Sequence, residues 1–221
     1  MSTILNGFAE EYRGLLHGLD SWFGLFVQNF SEEITCHAGC SGCCRGIFDI
    51  TILDACLLRT GFETLLSTDQ QQVLAKKAQV LLGRLQSQMP HLASPWFIHR
   101  FDKKDQEALF LLESETPCIF LEETGKCVLY NYRPMTCRLH GVPMVDAIGV
   151  LHDNQVCTLN FSKGLPEQLT LPKANFNEVF LKEQQLIQAL TKHLFGISLS
   201  ECDTLIPAAA CVDLNTFLIS R

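Results

Sequence analysis

Four thiols fall within nine residues of this chain, in Cys36-His37-Ala38-Gly39-Cys40-Ser41-Gly42-Cys43-Cys44. Thiolate is a soft ligand that suits zinc and iron–sulfur centres. Several sulfurs can reach one centre only where the backbone turns tightly, and Gly39 and Gly42 allow the positive φ angles this needs. A second group, Cys118, Cys127 and Cys137 with Cys157 beyond, starts about seventy residues further on. The two groups are expected to close on one metal centre. Its candidate ligands are Cys36, Cys40, Cys43, Cys44, Cys118, Cys127, Cys137 and Cys157.

Compartment decides how such cysteines are read. The chain opens Met1-Ser2-Thr3-Ile4-Leu5-Asn6, without a basic segment, apolar core and small-residue cleavage site. No stretch reaches eighteen uninterrupted apolar residues. A cytoplasmic chain with no membrane span is therefore expected. In a reducing cytosol, clustered cysteines are metal ligands or catalytic groups more often than disulfides. The odd total of 11 and the adjacent Cys43 and Cys44 also fit a disulfide framework poorly. With 47% hydrophobic and 19% charged residues, the 221-residue chain reads as one globular domain, with residues 36–157 as its cysteine-cluster core. A net charge of −7 without any lysine- or arginine-rich run argues against a nucleic-acid partner.

The rest of the chain predicts a mainly α fold. Residues 3–31 carry Leu5, Phe8, Tyr12, Leu15, Leu16, Leu19, Trp22, Phe23, Phe26 and Phe30 at three- and four-residue steps, a core-facing stripe. Its polar face holds Glu10, Glu11 and Asp20 rather than a basic belt, which disfavours membrane docking. Four glycines (Gly7, Gly14, Gly18 and Gly24) weaken this helix enough to allow a break. Thr51 with Asp54 signals the N-terminus of a helix that turns Leu53, Cys56 and Leu57 inward. Cys56 there reads as a small buried hydrophobe. Further helices are expected over 69–88, over 103–114 with Leu109, Leu111 and Leu112 toward the core, over 175–195 with Phe180 in its stripe, and from Ala208 to Ser220. His91 and His99 belong to an irregular connection, and Cys202 and Cys211 read as structural. Apolar runs on either side of Glu122-Glu123-Thr124-Gly125-Lys126 predict one small β-hairpin, followed by a rigid bend at Pro134 just before Cys137.

Eight thiols exceed what one tetrahedral ion or one cubane uses. They imply two centres, one multinuclear centre, or some cysteines that do not ligate. Adjacent Cys43 and Cys44 are expected to point apart, so that they serve two metals or one of them packs. Four thiolates on a divalent ion leave a net negative site that wants nearby cations and N–H donors. Arg133 and Arg138, with Arg45, are the expected cationic donors beside the centre. His140, three residues past Cys137, reads as a loop histidine before a ligand or proton carrier.

Three ordered motifs carry a resemblance: the cysteine cluster, Pro117-Cys118-Ile119-Phe120-Leu121 with Cys127-Val128-Leu129-Tyr130, and Tyr132-Arg133-Pro134 leading to Cys137-Arg138. Together they resemble the CxxCxxCC family, described as a zinc- or iron-chelating domain, over roughly residues 36–157. The first spacing is x3 here, where the family's name has x2. The resemblance implies a cysteine-rich metal site built from the same eight cysteines. That family also includes flagellin lysine N-methylases, and Cys36-x3-Cys40-x2-Cys43 has the spacing of radical S-adenosylmethionine enzymes. An iron–sulfur enzyme of the methyltransferase or radical type, acting on a protein, is thus the second expectation. The strand–helix repeats of a radical-enzyme barrel and a Gly-rich nucleotide loop are both missing from the sequence. The first expectation is a metal-binding protein with a zinc or iron–sulfur centre in a structural, metal-handling or sensing role. A protein partner docking on the helical surface is the third.

Overall fold

The computed structural model describes residues 2–37, 39–152, 156–165 and 171–218. Helix makes up about 52% of the chain, in seven α-helices among the described residues, so the fold is mainly α. Helix α1 (Thr3–Asn29) starts where the Ser2 side chain accepts the Leu5 N–H. It buries Leu5, Ala9, Tyr12, Leu16, Leu19, Trp22 and Phe26 along one stripe. Its glycines do not break it. Gly7, Gly14, Gly18 and Gly24 all face open space, and each weakens a helix by only about 1 kcal/mol, which burial of the opposite stripe outweighs.

Strand β1 (Asp49–Thr51) leads into α2 (Ile52–Leu65) through a capping box, with the Thr51 hydroxyl accepting the Asp54 N–H and the Asp54 carboxylate accepting the Thr51 N–H. The run Ile52 to Leu58 is buried on every side, as a helix enclosed by others must be. Helix α2 packs on α1 along much of its length. Cys56 is buried, as expected, close to buried Cys202, and burial pushes both thiols up to about 12. Helix α3 (Thr68–Gln88) turns Leu74, Ala78, Leu81, Leu82 and Leu85 inward and leaves Val73 and Val80 exposed.

In α4 (Lys103–Leu112) only one expected contact fails. Leu109 is buried, but Leu111 is 77% exposed, because two residues along a helix turn through roughly 200°. The connection from His91 to Phe101 is irregular, as expected; His91 pairs with Asp105 at 3.1 Å and His99 lies against Phe97. After the 3₁₀ turn Tyr130–Tyr132 and the bend at Pro134 comes the short helix α5 (Met135–Leu139), which carries Cys137. Residues 118–130 do fold back on themselves, with Val128 N–H donating to Phe120 O at 2.9 Å, but the arms pair only at the Leu121–Cys127 bridge.

Regular strands occur elsewhere. Strand β2 (Met144–Asp146) lies between antiparallel β3 (Leu151–His152) and parallel β4 (Lys173–Ala174). Helix α6 (Phe176–Phe195) opens on Asn175, whose side chain accepts the Glu178 N–H; its expected stripe residue Phe180 is 41% exposed. Strand β5 (Asp203–Leu205) then pairs with β1, placing Ile50 opposite Thr204. The expected last helix is cut short. Helix α7 covers only Ala208–Cys211, and Asp213 opens a separate 3₁₀ turn, Leu214–Phe217, by accepting the Asn215 N–H. Short polar side chains compete in this way with a continuing helix; residues 219–221 lie outside the described ones. Among the described residues no helix is long and apolar enough to cross a membrane.

Helical glycines at two sites should respond in opposite directions. A Cβ at Gly14 meets nothing within 4 Å, whereas one at Gly61 would sit 2.5 Å from Tyr132 Cγ. Gly14→Ala should raise stability by about 0.5–1 kcal/mol. Gly61→Ala should lower it despite the same gain in helix propensity, because Tyr132 must move. Denaturant midpoints of the two variants check this, and a stabilised Gly61→Ala protein would contradict the packing described.

Candidate metal centre

The two cysteine groups, far apart in sequence, line one cavity. Its wall includes Cys36, Cys40, Cys43, Cys44, Cys118, Cys127 and Cys137, and its volume is about 150 Å³. Phe23, Phe48, Leu58, Phe120 and Ile206 form an apolar side, while His37 and His140 stand among the thiols. Among the described residues no three His, Cys, Asp or Glu side chains are drawn together at metal-binding geometry.

Backbone contacts explain the convergence. Residues 39–48 have no regular structure, and the turns Cys40 N–H to His37 O and Cys44 N–H to Ser41 O, each 2.9–3.0 Å, coil the cluster. Gly39 takes the expected positive φ, 98°, but the second such glycine is Gly46 at 95° rather than Gly42, whose open face meets Leu159 instead. The fold-back at 118–130 is stitched to this loop by Cys118 N–H donating to Cys44 O at 2.9 Å and by the Arg45–Pro117 bridge. Its tip approaches so closely that a Cβ on Gly125 would lie 2.8 Å from Gly39 O.

Cys157 stands apart from the cavity wall and beside Cys36. A Cβ at Gly141 would lie 3.6 Å from Cys36 Sγ and 3.8 Å from Cys157 Cβ. Asn160 binds this corner together. Its side-chain amide donates to Cys36 Sγ at 3.2 Å and to Gly141 O at 2.6 Å, and its carbonyl accepts the Thr35 N–H at 2.9 Å. No sequence signal marked Asn160, because its partners lie up to 125 residues away.

The arginines behave differently from the expectation. Arg133 and Arg138 both line the cavity, but Asp20 on α1 holds them: Arg133 Nη2 reaches Asp20 Oδ1 at 2.7 Å and Arg138 Nη1 reaches Asp20 Oδ2. Arg138, almost fully buried, also donates to the carbonyls of Arg133 and Asn131. Arg45 donates to Glu115 O. The N–H donors found at sulfurs are instead the Asn160 side chain, on Cys36 Sγ, and the Leu159 backbone, on Cys157 Sγ at 3.5 Å. Arg133 still acts through space, as one of the influences that lower the Cys127 pKa against the burial that raises it.

The neighbouring thiol is the largest influence on each of Cys43 and Cys44, raising Cys43 and lowering Cys44. Cys43 and Cys137 have surface open to the cavity, yet protein atoms crowd both, and burial drives Cys137 up strongly. Burial pushes Cys118 up to about 11 and raises Cys36 and Cys127. His140 is lowered by burial. Such thiols keep their protons near neutral pH unless a cation offsets the charge of the thiolates. The seven thiols on the cavity wall, with Cys157 beside Cys36 at the Asn160 corner, are soft donors of the kind that zinc and iron–sulfur clusters take.

A buried carboxylate sets the position of Cys137. Asp54 Oδ1 accepts the Met135 N–H at 2.9 Å at the start of α5, and Asp54 Oδ2 accepts the Thr51 N–H at 3.3 Å. The Tyr12 hydroxyl stands 3.0 Å from Asp54 Oδ1 and 2.7 Å from Glu183 Oε1. One hydroxyl proton serves one of those contacts, so the other requires a protonated carboxyl. Asp54 already accepts backbone donors, which places the extra proton on Glu183. No family model matches this chain, and no curated protein or solved structure matches it.

Burial raises Asp54 to about 6 and Glu183 to about 7, from ordinary values of 3.8 and 4.5. The folded chain therefore binds protons more tightly than the unfolded one between about pH 4 and pH 7. Stability from this pair is greatest at the acid end and is lost as pH rises through 6 to 7, on the order of 1–3 kcal/mol per group. The denaturant midpoint of chelator-treated, reduced protein should fall between pH 5 and pH 7.5, and Glu183→Gln should flatten that fall. An unchanged slope in Glu183→Gln would refute the assignment.

Proposed function

We propose that this chain is a metal-binding protein whose clustered thiolates hold zinc or an iron–sulfur centre, in a structural, metal-handling or sensing role. One observation carries the reading: cysteines from residues 36–44 and from residues 118–137 meet at a single cavity. Weakly hydrogen-bonding thiols gain little from being gathered and partly buried with raised pKa values. A cation changes the balance, since each thiolate it binds loses its proton and its charge is compensated. Bound there, zinc would cross-link the irregular loops, whereas an iron–sulfur centre would add redox capacity. The motif resemblance to the CxxCxxCC family supports the same reading, and a reducing, cytoplasmic setting is part of it because free thiols persist there.

An iron–sulfur enzyme acting on a protein remains the second reading. The apolar wall of Phe23, Phe48 and Phe120 beside the thiols favours it, since a substrate group needs such a surface next to an exchangeable metal position. Metal and acid-labile sulfide content, with a visible spectrum, measured on protein purified without oxygen, separates the two. Zinc without sulfide supports the structural or sensing role; iron with sulfide moves the weight toward cofactor chemistry. Cys40→Ser and Cys137→Ser should each lose at least half of the bound metal or become insoluble. Wild-type metal content in both variants would defeat the ligand assignment.

A further inference from the structure

We propose that residues 177–186 of α6 form a proton-controlled flap, latched onto α1 and α2 through Glu183 while its carboxyl carries a proton and released when that proton is lost. The flap does not depend on a bound metal. Helix α6 is anchored unevenly. At its start Phe176 lies edge-on to Trp22 at 5.0 Å, and its far half buries Ile187, Leu190, Thr191 and Leu194. Between these anchors no residue is buried, and Val179 and Leu186 reach the core only in part. Few buried apolar contacts put a segment at the low end of local stability. One flank of the stretch is also open. A groove of about 770 Å³ runs between it and α1, with Gly14, Leu15 and Gly18 on one wall and Val179, Lys182 and Leu186 on the other. Nothing lies within 4 Å of where a Cβ on Gly14 or Gly18 would stand, which leaves α6 room to shift.

What ties the stretch down is polar. Half-buried Glu183 presents Oε1 to the Tyr12 hydroxyl at 2.7 Å and to the Thr51 hydroxyl at 3.4 Å. Both hydroxyls also reach the Asp54 carboxylate, at 3.0 and 3.4 Å. Two hydroxyl protons cannot serve four such contacts. A protonated Glu183 adds a donor, giving its proton to Tyr12 while Tyr12 donates to Asp54. Once Glu183 is ionised, two carboxylates compete for one hydroxyl across a short distance. Asp54 is enclosed and keeps its backbone donors, so Glu183, the carboxylate with access to water, turns outward and the break falls on α6. The ionisable groups around it are acidic. Tyr12 faces it from α1 and Asp54 from α2, while Asp203 on β5 feels its charge together with those of Glu201 and Asp49. Glu11 lines the groove, Lys182 pairs outward with Glu178, and the 3₁₀ turn Leu214–Phe217 packed on α6 has no titratable side chain. Burial and then the Asp54 charge raise Glu183 to about 7, so the flap is latched below neutral pH and free above it.

Amide hydrogen exchange on full-length, reduced protein tests this, with each rate divided by the intrinsic rate at the same pH. From about pH 5.5 to pH 8, protection over 180–186 should fall at least about tenfold, and protection over 188–195 should fall less. Glu183→Gln keeps a neutral donor and should hold protection over 180–186 constant across that range. Glu183→Ala should leave it low at both ends. An equal loss in both halves of α6 overturns the flap, because global stability alone then changes. Constant wild-type protection overturns it too, as does a Glu183→Gln protein that follows the wild-type fall. Should the variants fail to fold, the comparison between the two halves of wild-type α6 decides.

Discussion

Asp54 is the interaction on which the arrangement depends. Its carboxylate is fully enclosed, yet it reaches four helices: it caps α2, accepts the first N–H of α5, and meets Tyr12 from α1, which in turn meets Glu183 from α6. A buried carboxylate is unfavourable unless its oxygens are satisfied. Here they are satisfied by groups that must all be in place together, so the penalty for misplacing any one of them falls on the whole set. The consequence for the site is direct. Helix α5 has only five residues and too few internal hydrogen bonds to hold itself. Its start is held by Asp54, and its Arg138 is held from the other side by Asp20. Cys137 therefore reaches the cavity on a segment made rigid by the helices around it.

The cysteine-bearing segments are fastened in a different way. Loop 39–48 and the fold-back at 118–130 contain little regular structure, and each is held largely by the other through the Cys44–Cys118 hydrogen bond, the Arg45–Pro117 bridge and the close approach of Gly125 to Gly39. This gathers thiols of which Cys36, Cys43, Cys118, Cys127 and Cys137 are raised, an arrangement that a bound cation would relieve. If the proposed metal binds there, its binding would be coupled to folding, because the helical framework brings the loops near each other and ligation would cross-link them.

Much of the helical frame was legible in the sequence. The α1 stripe, the Thr51–Asp54 cap and the Asn175 cap all rest on local rules, three or four residues in reach, and all are present. The errors have local causes too. Leu111 and Phe180 are apolar residues just off the buried face, and the polar residues Asp213 and Asn215 ended a helix that composition alone would extend. The short strands escaped notice because two or three residues cannot display a period of two.

By itself, the sequence determined that this chain folds as a mainly helical protein and carries its thiols in two clusters, because helix periodicity and cysteine spacing are short-range properties. It could not determine which residues stand next to those thiols. The assignment of Arg133 and Arg138 to Asp20, the placing of Asn160 at Cys36, and the Asp54 anchor beneath Cys137 all join residues brought together by tertiary packing. Only the tertiary structure decided them, since hydrogen-bond and charge energies fall off over a few ångströms in space and take no account of distance along the chain.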